Sequence, residues 1–164
     1  MGGGAKFDGR CDELKGFVLD CGQLRHAGVY NSTMDEIVNH IRTNLLSGEL
    51  VARTILTGVL AVPEKPVEPT NGDNMDKDIW KAEITDFMRQ KRALKQSMQS
   101  AYGLVYSQCT PNLQANLQGL KEFVTFEAHA DLLALLKGIK SLVFNFESTK
   151  SLPDALVLGM KNFY

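Results

Sequence analysis

The chain has 164 residues, of which 44% are hydrophobic and 23% are charged, so it can bury a real core and is not a wholly disordered chain. Its formal net charge of −1 gives no support to a nucleic-acid module that works by overall positive charge alone, which leaves only a local basic patch for that role. The chain has three scattered cysteines, and its N-terminus lacks the apolar stretch of a secretory signal peptide. We therefore expect a cytoplasmic protein rather than an exported one stabilised by disulfides.

The N-terminal region begins irregularly and then becomes helical. The stretch "GFVLDC" (16–21) is either a short strand or an extended segment packed on helices, because a short apolar run fits both. Thr33 and Glu36 have the spacing of a capping box, which predicts a first helix over about Met34 to Leu46. We expect Gly48 to end that helix in a left-handed cap.

A second helix and a proline-rich break follow. The helix is predicted over about Glu49 to Leu60. Its expected buried residues are Leu50, Ile55, Val59 and Leu60. Three prolines lie within seven residues of "VPEKPVEPTNGD" (62–73), so residues 62–74 are predicted to form an internal linker or long surface loop. No other stretch is typical of a boundary, and we interpret residues 1–164 as a single helical domain.

A long helix and a sharp corner occupy the middle of the chain. The long helix is predicted over about 74–109, after an N-cap at Asp73 or Asn74. Its apolar stripe comprises Trp80, Ile84, Phe87, Leu94, Met98, Ala101 and Val105. Thr110 suits an N-cap and Pro111 the first position of the next helix, which we expect to be short and to fold back on the long one.

The last part of the sequence predicts two more helices. Residues 128–144 are apolar over more than half of the helix circumference, which is typical of a helix that is buried centrally or at an interface. The capping pattern "SLPD" (151–154) predicts a separate last helix through Phe163, and the pattern stops so abruptly that we expect a fragment of a longer protein. The predicted fold is all-α, an irregular bundle of about six helices with an irregular N-terminal segment.

The sequence contains no pattern of a catalytic, metal or cofactor site. It has no phosphate-binding glycine loop and no Gly-x-Ser-x-Gly turn, and its histidines and cysteines are too scattered to predict zinc by spacing. His40 follows Glu36 by four residues, which is typical of an ordinary surface contact on a helix. An enzyme that pairs Cys109 with a histidine stays as one hypothesis, although a buried structural cysteine is preferred. We therefore predict no catalytic residue, no cofactor, no metal and no small-molecule substrate.

Two sets of residues are candidates for contacts with partners. The strongest basic cluster, a weak candidate for phosphate contact, comprises Arg89, Lys91, Arg92 and Lys95. Nearby acidic residues, Asp86 among them, dilute its field, so a solvated helix face is the preferred interpretation. The candidates for an interface between protein chains are Tyr106, Leu135, Leu142 and Phe163.

Three blocks of the sequence carry a family resemblance. They are "KFDGRCDELKGFVLDC" (6–21), "LVYSQCTPNLQANLQGL" (104–120) and "LLALLKGIKSLVFNFESTKSLPDAL" (132–156), the last followed by "KNFY" (161–164). Together they resemble the Gag-like protein of LTR retrotransposons, broadly of the copia type. The similarity covers most of the chain apart from the proline-rich stretch.

The resemblance implies a non-enzymatic, capsid-like module that assembles with copies of itself around element RNA. Members of that family often carry a Cys/His zinc knuckle for nucleic acid, which this sequence lacks, so RNA contact is expected mainly through segments outside it. No membrane partner is expected, because no apolar run reaches the roughly 20 residues that span a bilayer. The alternative is a helical adaptor that binds one protein partner with the same leucine-rich face.

Overall fold

The computed structural model describes residues 6–21 and 26–156, with side chains described for 6–21 and 28–144. These residues form six α-helices and, within the described ranges, no strand beyond one isolated bridge, which confirms the all-α prediction. The helices are α1 (His26–Asn44), α2 (Gly48–Thr57), α3 (Asn74–Ser107), α4 (Pro111–Gln118), α5 (Phe123–His129) and α6 (Leu132–Leu156).

One apolar core joins the N-terminal segment to all six helices. The long helix α3 contributes to it unequally, because Leu94 is its first buried residue and none of the residues 74–93 is buried. The first half of α3 therefore projects beyond the core. None of the helices in the described part of the chain is both long enough and apolar enough to cross a membrane.

The N-terminal segment is irregular, with the 3₁₀ turn Asp12–Leu14 followed by a second turn at residues 15–16. Leu19 forms the isolated parallel bridge, with Cys109, so the stretch 16–21 is an extended segment packed on helices rather than a strand of a sheet. Leu14 and Leu19 are both buried and anchor the segment in the core. This packing explains why an apolar run without helical or strand periodicity occurs so early in the chain.

The predicted start of α1 at Thr33 is wrong. The helix begins at His26, and Thr33 is buried inside it rather than capping it. Tyr30 lies in the additional turns and is buried, and its ring meets that of Phe144 on α6 edge-on, with 5.4 Å between the centroids. Tertiary packing against α6 thus extends the helix beyond the local capping signal.

The prediction for Gly48 is also wrong. This glycine is buried and begins α2, and a Cβ at its position would lie 2.3 Å from the carbonyl oxygen of Ile41. The close approach of α1 and α2 requires glycine here, whereas the left-handed cap lies at Gly58, with φ 75°. Val59 and Leu60 therefore lie beyond the end of α2 and are exposed, contrary to prediction. The residues of α2 that are buried after Gly48 are Val51, Ala52 and Thr54.

The predicted long helix and its N-cap at Asp73 are confirmed. Asp73 accepts a hydrogen bond from the N–H of Asp76 at 2.9 Å, and the Asp76 carboxylate accepts from the N–H of Asp73 at 3.2 Å, so a capping box begins α3. The proline-rich stretch before it has no helix or strand from residue 60 to 73. It contacts the first half of α3, where the indole N–H of Trp80 donates to the carbonyl oxygen of Pro66 at 3.5 Å.

The C-terminal third differs from prediction in three respects. Residues 123–129 form α5, which was not predicted, and Ala130 then adopts φ 49°. The carboxylate of Asp131 accepts from the N–H of Ala134 at 3.1 Å, so α6 begins at residue 132 instead of 128. The separate last helix predicted at 151 is absent from the described residues, because α6 continues through Pro153, which removes only one helical N–H donor.

Candidate functional site at the helix corner and on the long helix

The corner between α3 and α4 is organised by the buried side chain of Gln108, which has 0% exposure. Its Oε1 atom accepts hydrogen bonds from the N–H groups of Arg10 at 3.0 Å and Cys11 at 2.9 Å. Its Nε2 atom donates to the carbonyl oxygens of Leu14 at 3.1 Å and Phe17 at 2.9 Å. Since all four hydrogen-bonding positions of the amide are satisfied, Gln108 clamps the N-terminal segment to the corner.

The backbone of the corner also pairs with the N-terminal segment. The N–H of Leu19 donates to the Gln108 carbonyl oxygen, and the N–H of Thr110 donates to the Leu19 carbonyl oxygen, both at 2.9 Å. The Thr110 hydroxyl donates to Asp20 at 2.5 Å and accepts from the N–H of Leu113 at 3.2 Å. The predicted N-cap of α4 is therefore confirmed. Two of the three blocks that carry the family resemblance, 6–21 and 104–120, interlock here.

Cys109 lies inside this corner with 0% exposure, and its thiol donates to the Val105 carbonyl oxygen at 3.4 Å. Burial, followed by the nearby charges of Asp20 and Cys21, raises the pKa of Cys109 to about 12. A nucleophilic cysteine needs an accessible thiolate and a lowered pKa. The surroundings of Cys109 therefore fit a structural thiol, and the catalytic hypothesis for it has no geometric support.

The four predicted interface residues differ in how far the structure buries them. Leu135 has 0% exposure and packs within the chain, so its side chain cannot reach a second copy in this fold. Leu142 is half-buried on α6. Tyr106 is also half-buried, and its hydroxyl accepts from the amide of Gln118 at 2.9 Å. Phe163 lies outside the described residues.

The predicted basic residues stay together along the exposed side of α3: Arg89, Lys91, Arg92 and Lys95. Two of them already have partners in the chain. Arg89 forms an ion pair with Asp86, and the Lys91 ammonium lies 5.7 Å from the centroid of the Phe87 ring. The charge of the cluster is therefore partly balanced locally.

The charge of α3 is divided unevenly along the helix. Residues 73–86 carry five acidic and two basic side chains, whereas residues 87–107 carry four basic and no acidic ones. Steps of three and four residues place six exposed side chains on one line, here named the α3 stripe: Met75, Asp78, Ala82, Thr85, Arg89 and Arg92. Small residues lie at the centre of the stripe, where a second helix could approach closely.

A groove of about 820 Å³ lies between the segment 60–65 and α3. Its large apolar lining residues are Leu60, Val62, Phe87, Leu94 and Met98. Its charged lining residues are Lys65, Lys91, Lys95 and Glu64. An apolar groove of this size with cationic side chains can accommodate a short amphipathic segment of opposite charge.

Among the described residues, one group brings three potential metal-ligand atoms together, from Cys11, Glu13 and His40. His40 follows Glu36 by four residues on α1, but its ring Nε2 atom faces the Cys11 sulfur at 3.9 Å. Twenty-nine positions separate Cys11 from His40, so no local spacing could have predicted the group. The N-terminal segment brings these residues together only in the folded chain.

Comparisons with known proteins add no assignment to these observations. No model of a protein family matches the chain, and no curated protein or solved structure matches it either.

Proposed function

We propose that this chain is a non-enzymatic structural protein, a Gag-like, capsid-type module that associates with copies of itself in the cytoplasm. The sequence blocks at 6–21 and 104–120 support the proposal, since they form one interlocked unit around Gln108. That unit buries the Gln108 amide and the Cys109 thiol, an arrangement that serves packing rather than catalysis.

The observation that carries the proposal is the uneven charge of the exposed surface of α3. Acidic side chains predominate over residues 73–86 and basic ones over residues 87–95, so an antiparallel copy of the helix brings opposite charges together. The net charge of −1 adds little repulsion between whole chains. We therefore assign a second copy of the chain as the occupant of the α3 stripe.

An antiparallel pairing of two stripes gives a consistent set of contacts. With the two-fold axis between Ala82 and Thr85, Asp78 of each copy lies opposite Arg89 of the other, and Met75 lies opposite Arg92. The central contact joins small side chains. Each residue pair occurs twice because the interface is symmetric, so weak contacts add up.

Sedimentation velocity over a range of concentrations tests this proposal. The wild-type chain should show a concentration-dependent dimer or larger species. Ala82→Arg places a long cation at the centre of the stripe and should weaken association by at least tenfold. Ala128→Arg is the matched control, because Ala128 is an exposed alanine on α5 and lies outside the stripe. A wild-type chain that stays monomeric at every concentration, or equal effects of both substitutions, would overturn the proposal.

Element RNA is proposed as a further partner. The supporting residues are the four basic ones of α3, two of which are already engaged by Asp86 and Phe87. We therefore expect weak, sequence-independent RNA binding by this chain, with an affinity that falls steeply as salt rises. Fluorescence anisotropy with a labelled single-stranded RNA at two salt concentrations measures this. Tight binding that is insensitive to salt would contradict the expectation.

The groove beside α3 favours one other function, a helical adaptor that binds an acidic amphipathic segment of a single partner. Anisotropy of a labelled amphipathic helical peptide with acidic flanks tests this alternative. The adaptor hypothesis predicts saturable binding that Leu60→Asp abolishes, together with a monomeric chain, since Leu60 lines the groove and is exposed. The structural-protein hypothesis predicts self-association that Leu60→Asp leaves unchanged.

A further inference from the structure

We propose that Cys11, Glu13 and His40 form a zinc site that ties the N-terminal segment to α1. The ligand atoms come from two separate parts of the chain, the 3₁₀ turn and the last third of α1. They meet at the surface: Glu13 is exposed, whereas Cys11 and His40 are half-buried. A metal ion can reach them directly from solvent.

The distances fit tetrahedral coordination by zinc. The Cys11 sulfur lies 3.4 Å from Oε1 of Glu13 and 3.9 Å from Nε2 of His40, and all three ligand atoms lie within 4.8 Å of one another. A tetrahedral Zn²⁺ with bonds of ~2.3 Å to sulfur and ~2.0–2.1 Å to nitrogen or oxygen separates such ligand atoms by roughly 3.6 Å. The two distances from sulfur are therefore within a few tenths of an ångström of this spacing, and rotation of the exposed Glu13 side chain can bring its carboxylate closer to His40.

The ligand set also suits zinc better than magnesium or calcium. Thiolate and imidazole are preferred by zinc, whereas the harder cations take oxygen ligands. Binding forms a Zn–S bond as the Cys11 thiol proton leaves to solvent, and no oxidant or reductant is needed. Three protein ligands leave the fourth position for water.

The surrounding structure holds the backbone of all three ligands in place. The N–H of Cys11 donates to the buried Gln108 side chain at 2.9 Å, which fixes the backbone at this ligand. Leu14 is buried directly after Glu13 and anchors the turn. His40 lies within α1, between the buried residues Val38 and Ile41. The site is thus largely preformed, which lowers the entropic cost of binding the ion.

The other ring nitrogen of His40, Nδ1, faces the side chain of Asn44. This atom lies 3.3 Å from the side-chain amide of Asn44. A histidine that binds zinc through Nε2 carries a proton on Nδ1 and is held best by an oxygen acceptor. The Asn44 amide can present its oxygen after rotation, at the cost of its hydrogen bond to the His40 carbonyl oxygen. A carboxylate at this position would supply the acceptor directly.

Titration of the full chain with Co²⁺ and Zn²⁺ tests the site. Co²⁺ should bind with one equivalent and produce a thiolate-to-cobalt absorption band that Zn²⁺ removes. Cys11→Ser should abolish the band, and His40→Gln and Glu13→Gln should each weaken Zn²⁺ binding by more than about tenfold. Asn44→Asp should strengthen it. His129→Gln is the matched control, because His129 is an exposed histidine outside the group.

A second measurement remains valid if one variant fails to fold. Zn²⁺ should protect Cys11 from alkylation in the wild-type chain, and this protection should be lost in His40→Gln. The inference is overturned if no cobalt–thiolate band forms, if His129→Gln weakens binding as much as His40→Gln, or if Zn²⁺ leaves the alkylation of Cys11 unchanged. These outcomes are independent of self-association, so they do not test the proposed function.

Discussion

The clamp formed by Gln108 makes the sharpest prediction about stability. The substitution Gln108→Met keeps the approximate length and volume of the side chain and removes its four hydrogen bonds to the N-terminal segment. Two backbone N–H groups and two carbonyl groups then lose this hydrogen bond, and the Leu14 carbonyl keeps the one that it accepts from the N–H of Phe17. We expect the chain to fold with the same helices, because the capping signals of α3 and α4 are untouched, but to be less stable.

The magnitude follows from the surroundings of the four hydrogen bonds. At roughly 0.5–1.5 kcal/mol each, they would together contribute about 2–6 kcal/mol to the free energy of unfolding. Only the bond to the Leu14 carbonyl is buried at both ends, whereas the other three reach partly exposed backbone that water can solvate after the substitution. We therefore expect a loss of about 2–4 kcal/mol, a large fraction of a typical domain stability.

Urea denaturation followed by circular dichroism measures this loss. Gln114→Met is the matched control, because Gln114 is a half-buried glutamine of α4 with one hydrogen bond, to the Tyr106 carbonyl oxygen at 2.9 Å. It should cost about 1 kcal/mol or less. Hydrogen exchange should also show faster exchange at the N–H groups of Arg10 and Cys11 in Gln108→Met. Equal losses in the two variants would refute the clamp.

Three further predictions concern the neighbouring core. Gly9→Ala should destabilise the chain by about 1–3 kcal/mol, since Gly9 has φ +94° and an added Cβ would meet the Gln108 amide. Urea denaturation measures this loss, and unchanged stability would contradict the close packing of Gly9 on Gln108. Cys109 should be alkylated only on unfolding, because burial raises its pKa to about 12, and rapid labelling of the native chain, read by mass spectrometry, would exclude the buried position. Tyr102→Phe removes a 2.5 Å hydrogen bond to Glu127 and should lower the urea midpoint by the equivalent of about 1 kcal/mol, whereas a rise would show that the bond is unfavourable.

The parts of the fold that could be predicted from sequence depend on local signals. The long helix α3 and the corner at Thr110 follow from a capping residue, a proline at the first helical position and a regular apolar stripe. These interactions lie within a few residues of one another. The tertiary packing favours the same conformations, so these local signals suffice to predict α3 and the corner.

The parts that could not be predicted depend on contacts between distant residues. α1 extends to His26 because Tyr30 packs on α6, and Gly48 is required because a neighbouring helix comes too close for a Cβ. The candidate zinc ligands meet for the same reason, since Cys11 reaches His40 only after Gln108 has fixed the N-terminal segment. A capping motif or a metal-binding pattern read along the chain contains none of this information.

The central claim, self-association through the α3 stripe, is tested most directly by a charge exchange. Asp78→Lys and Arg89→Glu should each weaken association by roughly tenfold, because every symmetric dimer then contains two like-charge contacts. An equimolar mixture of the two variants should restore association in sedimentation equilibrium, because each contact again joins opposite charges. If both variants associate like the wild type, or if mixing them restores nothing, two copies do not pair through this stripe.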